Sequence, residues 1–300
     1  MRSILNSHLP IKITALMMAV TTITFFSCSS PDAAETEESV EAGQTDLAKE
    51  KPKPKEEKAY YMLPSPLQIA HIYRKAGLKY FPDVANDPKN VNGLVSETSK
   101  LQNLGVYTAD LCWVALNKQT QEELTYLKVM MDIAGDIGLG SIFSLGAFMD
   151  RFERNVAIED SMVVILAELQ ERMDFYMQEA EMDDKSTIIF SGAWIESMYI
   201  SLVTYRMEGS ESTLSMRIQE QLHILEGLIS KLEDVYEPVD EIKLLVADLN
   251  ALHFLINGFE MMKTANKEQQ VKVSEISLTD LELDQLTNKV TEIRTRIING

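Results

Sequence analysis

Residues 186–205 carry a single charge, Glu196, within a run from Ser186 through Trp194 to Tyr205. Twenty residues with one charge either cross a membrane or fill the middle of a protein. Ser186, Thr187, Ser191, Ser197, Ser201 and Thr204 make the run too polar for an easy lipid span, so it is expected to be a central helix wrapped by others. Residues 101–117 repeat the pattern with Asp110 as their one charge, and residues 137–149 have none. Gly138, Gly140 and Gly146 in that third run are expected to permit close helix packing. A chain with such segments has to surround them with amphipathic helices.

The flanking sequence supplies these. Ser65-Pro66-Leu67-Gln68 is a helix start, with Ser65 as N-cap, Pro66 in the first turn and Gln68 placed to close a capping box. That helix is predicted to end near Gly77, and residues 82–90, with two Pro, two Asn and two Asp, form a loop. Helical periodicity then covers segments near 94–117, 119–137, 141–154, 158–182, 186–208, 212–234, 238–262 and 279–298. The breaks fall at Gly138 and Gly140, Asp183-Asp184, Gly209-Ser210 and Pro238. In the last segment Leu283, Leu286, Val290, Ile293 and Ile297 form a one-sided apolar stripe, and Thr279 with Glu282 is placed to cap its start. Val271-Lys272-Val273 hints at a strand too short to matter, and no internal repeat recurs. The expected fold class is all-α, a single multi-helix bundle or helical array of about eight or nine helices over residues 59–300.

Residues 1–28 have a different character. Arg2 and Lys12 precede an apolar run from Ile13 to Phe26 and the small residue Ser27, the layout of a secretory signal. Phe25-Phe26-Ser27-Cys28 resembles the lipobox of bacterial lipoproteins read by signal peptidase II, although Leu is commonest where Phe25 stands. The resemblance implies cleavage before Cys28 and lipidation of its thiol, hence a membrane anchor in the cell envelope. Residues 29–58 are a polar tether, acidic at Asp32, Glu35, Glu37, Glu38, Glu41 and Asp46 and basic through Lys51-Pro52-Lys53-Pro54-Lys55. A flexible coil of that length reaches roughly 30 Å. Ser29, rather than Asp, after the Cys implies transfer to the outer membrane by the rule familiar from enteric lipoproteins. Whether the body faces the periplasm or the surface stays open.

The formal charge of −18 becomes −20 on processing, since Arg2 and Lys12 leave without an acid. So acidic a body repels phosphate backbones, which makes nucleic acid a poor partner; a protein partner in the envelope remains open. Asn103-Leu104-Gly105-Val106-Tyr107 and Ala109-Asp110-Leu111, with the Pro64-Ser65-Pro66 start and residues 121–138, are similar to uncharacterised all-helical lipoproteins of Gram-negative bacteria. The resemblance spans the first half of the body and implies fold and location, but no activity.

Asp110 and Glu196 are the residues of greatest interest, because a carboxylate inside an apolar helix has to be paired or hydrogen-bonded. They line a polar ligand pocket near Tyr107, Trp113, Trp194 and Tyr199, or each meets Lys, Arg or Tyr from a neighbouring helix. Cys112, in Leu111-Cys112-Trp113-Val114, has the setting of a small buried hydrophobe. Glu220-Gln221-Leu222-His223 matches the Glu-x-x-His element of di-iron bundles, but Asn250 stands where His253 would need its Glu. Glu220 is expected on a wet face beside Gln219 and Gln221, so no metal or other cofactor is expected. No zinc-protease, phosphate-loop, Cys-x-x-Cys or nucleophile-elbow motif occurs. The 16 Met residues read as dispersed core filling. The sequence points to a non-enzymatic binding or assembly module, with a carrier or enzyme built around Asp110 and Glu196 as the alternative. A module exposes an apolar or concave helical face; a carrier hides a polar cavity.

Overall fold

Two helices whose inner stretches carry one charge each run through the centre of the computed structural model, and the others pack around them. The description covers residues 64–75, 77–144, 148–208, 214–235, 238–259, 262 and 278–300. Cys28, the tether, Gly146 and Val271–Val273 lie outside the described residues. The described residues are helical with no strand among them, so the fold is all-α.

In chain order the helices are α1 (Pro66–Lys75), α2 (Glu97–Leu116), α3 (Thr120–Asp136), α4 (Ser141–Ser144), α5 (Phe148–Asn155), α6 (Glu159–Glu179), α7 (Asp183–Glu208), α8 (Leu214–Glu233), α9 (Asp240–Asn257) and α10 (Asp280–Asn299). A 3-10 turn, Pro88–Gly93, interrupts the first loop, with the Asp87 side chain accepting from the Lys89 N–H to start it. Both predicted capping boxes form. Ser65 and Gln68 exchange bonds at 2.9 and 3.2 Å, and Thr279 does the same with Glu282.

Every residue of α2 from Leu101 to Leu116 is buried, as is every residue of α7 from Ser191 to Met198. Among the described residues α7 is the helix long and apolar enough to cross a membrane, and 83% of its most apolar stretch is buried within the fold. α2 and α7 are each other's principal partners, flanked by α1, α6 and α10, with α3 against α2 and α8 against α7. α9 is at the margin, packing on α8 and α10.

The glycines that bring helices together are not the predicted ones. A Cβ on Gly105 would lie 1.8 Å from the Ile189 carbonyl oxygen, and one on Gly192 1.9 Å from the Gln102 carbonyl oxygen. The backbones of α2 and α7 therefore touch at a Gly–Gly crossing with no room for a methyl group. Gly138 has open space around it and φ +80°, so it ends α3 instead, and Gly140 meets only the Gly135 backbone at 3.4 Å. The described residues of their segment hold α4 and α5.

The break expected at Asp183-Asp184 is shifted as well. α6 ends in a Schellman turn, with Glu181 at φ +55° and the Met182 N–H bonded to the Met177 carbonyl at 2.8 Å. The two Asp form the first turn of α7, where the helix dipole favours negative charge.

Candidate functional site

Three helices deliver one charged cluster to the centre of the fold. α10 points Arg294 at Glu196 of α7, donating from Nε to Oε2 at 2.6 Å and from Nη2 to Oε1 at 2.8 Å. This is a fork-to-fork pair, and its carboxylate is wholly buried. The guanidinium also lies 3.9 Å from the centre of the Tyr199 ring, a cation–π contact.

Asp110 of α2 is equally buried, and its Oδ2 accepts from the Asn86 backbone N–H at 3.3 Å. Burial, and then the charge of Glu196, push the Asp110 pKa well above the usual carboxylate range. Two buried carboxylates facing one guanidinium favour a proton on one of them, and the raised Asp110 is the one that keeps it. With that proton on Asp110, the cluster of acid, carboxylate and guanidinium is neutral. Among the described residues no donor pairs with Oδ1, which suits a protonated carboxyl. Glu196, in the middle of α7, is met by an Arg from a neighbouring helix, and Asp110 of α2 is buried beside the same pair.

Tyr107 stands beside this cluster. Its hydroxyl donates to the Asp87 carbonyl at 3.0 Å, while the Tyr126 hydroxyl donates to the Asn86 carbonyl at 3.0 Å. Burial, and next the nearby Asp110, raise both phenols above their ordinary range, so they act as neutral donors that pin the loop. Trp113 is buried one turn beyond Asp110, and its indole N–H finds no acceptor. Trp194 turns away: its Nε1 donates to Gln221 of α8 at 2.9 Å. Gln221 is 1% exposed, so the wet face expected for it is a buried one.

The open space lies next to the cluster rather than within it. A cleft of about 600 Å³ runs between residues 80–90, the start of α3 and the end of α10, with Arg294 among its lining residues. Arg294 thus holds Glu196 and also borders the cleft. Asn86, 1% exposed, also lines it; its Oδ1 accepts from Asn90 at 2.7 Å and its Nδ2 has no acceptor. Asp83, Asp87 and Glu122 add negative charge to the walls.

Sequence reasoning missed Arg294, Asn86 and Tyr126. Arg294 had a readable signal, since it stands four residues after Val290 and three before Ile297, in register with the apolar stripe of α10. A cation at such a position needs a buried acid opposite. Asn86 and Tyr126 carry no such signal.

Elsewhere, the Cys112 thiol is pushed up to about 12 by burial and then by Asp110, which keeps it protonated and unreactive. Glu226 accepts contacts from His223 at 3.4 Å and His253 at 3.1 Å, joining α8 to α9. Among the described residues no three His, Cys, Asp or Glu side chains are grouped to hold a metal. Met130 and Met198 fill the core, whereas Met207 is exposed. Comparison of the chain with protein-family models, with curated proteins and with solved structures finds no match.

Proposed function

We propose that this protein is a lipid-anchored helical module of the cell envelope, held to a membrane through Cys28 and engaging a protein partner without catalysing a reaction. The observation that carries this reading is the outer face of α9. Ile242, Leu245, Leu249, Leu252 and Ile256 of that helix are buried. Leu244, Ala247, Ala251, Phe254 and Gly258, spaced by three and four residues, are exposed, with Phe254 81% accessible. A second apolar stripe in the open is what an unpartnered interaction face presents. The buried Glu196 carboxylate, already held by both nitrogens of Arg294, fits the same reading.

The test is site-specific photo-crosslinking from Ala251 in the native host, with membranes fractionated before analysis. A discrete crosslinked protein is expected, lost in Leu244→Glu/Phe254→Glu while the melting temperature stays within a few degrees. Cys28→Ser should move the protein out of the membrane fraction. Unchanged crosslinking in the double variant, or unchanged fractionation without Cys28, would sink the corresponding half of the proposal.

The cleft beside Arg294 favours a second reading, a carrier of a small ligand. Its site would be the open space between residues 80–90 and Arg294 rather than the buried carboxyl pair.

A further inference from the structure

We propose that the cleft bounded by residues 80–90, α3 and α10 binds a small molecule with an ammonium group at one end and an acceptor oxygen at the other. The inference rests on the carrier reading and names the ligand class.

The inner end of the cleft has donors in excess. Arg294, 8% exposed, spends Nε and Nη2 on Glu196, leaving Nη1 outside that fork. Asn86 contributes the two hydrogens of Nδ2, for which no acceptor occurs among the described residues. Its orientation is set by Asn90, whose Nδ2 donates to the Asn86 Oδ1 at 2.7 Å. An unmatched donor at a buried position costs stability, and a ligand oxygen at Arg294 toward which the Asn86 amide turns removes that cost.

The charge balance points the other way along the cleft. Arg294 is neutralised by Glu196, and Asp110 holds its proton, so the inner end attracts no net negative charge. Asp83, Asp87 and Glu122 leave the walls with an excess of negative charge. A dianion or a phosphate is repelled, whereas an ammonium group is drawn to the walls. Tyr80 and Tyr126 border the same space, and an aromatic ring there suits a cation. Donors inside and acids at the walls select a carbonyl or hydroxyl oxygen joined to an amine, the chemistry of an amino-acid derivative or of an amino sugar.

Calorimetric titration of the purified full-length protein tests this with L-leucinamide and glucosamine, each paired with its N-acetyl counterpart, and with succinate as the anion. At least one amine should bind with a dissociation constant of about 1 mM or tighter, and about tenfold more tightly than its acetylated form. Which amine binds separates the two sources. Asp83→Asn/Glu122→Gln should abolish the preference for the amine, and Asn86→Leu should weaken binding of the amine, with the melting temperature of each variant reported alongside. Equal binding of an amine and its acetylated form, tighter binding of succinate, or no heat from either amine overturns the proposal. If a neutral or anionic probe binds and Asn86→Leu blocks it, the ligand class is wrong but the carrier reading stands. If no probe binds and the protein from its own host retains no small molecule in native mass spectrometry, both fail.

Discussion

Glu196 in α7 and Glu226 in α8 each tie their helix to another through a basic side chain, and only Glu196 does so out of water. The Glu196 side chain is 0% exposed and its partner Arg294 10%. The Glu226 side chain is 37% exposed, with His253 at 30% and His223 at 80%. The chemistry is alike, but the energetics are not. At the margin, solvent screens the charges and replaces either partner when the other is removed. At the centre, removing one partner strands the other in a medium that cannot solvate it. The central tie also has a reserve that the outer one lacks in Asp110, a second buried carboxyl whose pKa is raised by burial and by the charge of Glu196.

That reserve yields the largest expected effect. Asp110→Asn/Glu196→Gln removes both acids and leaves Arg294 buried without an anion, at a cost on the order of 3–5 kcal/mol. Glu196→Gln alone should cost distinctly less, since Asp110 can release its proton and take over the pairing. Urea unfolding of the two single variants and the double variant measures the non-additivity. A single Glu196→Gln as damaging as the double would remove Asp110 from the account.

The Gly–Gly crossing holds these groups in place, so it should be nearly as sensitive. Gly192→Ala sets a methyl group against the Gln102 backbone, where nothing flexible can yield, and should cost about 3 kcal/mol. A melting temperature unchanged from the parent would mean that α2 and α7 stand farther apart than described.

Glu123 of α3 sharpens the contrast from a third side, as a buried carboxyl whose two oxygens both lack a donor. Burial, with a smaller contribution from Glu122, pushes its pKa from 4.5 to about 7. Below pH 4.5 the group is protonated folded or unfolded and carries no penalty. Between pH 4.5 and about 7 the unfolded chain releases the proton and the folded one keeps it, so stability falls as pH rises. Glu123→Gln should therefore stabilise by about 1–3 kcal/mol at pH 8 and by almost nothing at pH 4. Melts at the two pH values decide it, and a gain equal at both would contradict the buried, unpaired state.

The smallest effect belongs to the outer tie. Glu226→Gln should change stability by no more than about 1 kcal/mol, with the effect shrinking in high salt. A loss comparable with that of the central double variant would erase the distinction between the two regions.

Much of this was legible in the residues. The near-absence of charge in residues 101–117 and 186–205 required two buried central helices, and both caps predicted at Ser65 and Thr279 form. The errors have local causes. Gly138 and Gly140 look like packing glycines because they interrupt an apolar run, yet Gly138 is needed for its positive φ at a helix end. Glu181 takes a positive φ with no glycine to announce it, so the α6–α7 turn was misplaced toward the two Asp that begin α7. Gln221 was assigned to a wet face because it neighbours Glu220, but its carbonyl oxygen is the buried acceptor for Trp194.

The sequence by itself determined an all-α body, the helices that fill its centre, and the two carboxyl groups that had to be satisfied there. Those follow from composition and from spacings of three and four residues, which act within one helix. Only the tertiary structure decided that Arg294, 98 residues from Glu196, would satisfy it, and that Asp110 would share the cluster as a neutral acid. It also put the open cleft on the far side of Arg294 rather than around the acids. Partners of this kind depend on where the α2–α7 crossing sets the helix axes, and that crossing depends on two glycines whose fit appears only when their backbones meet.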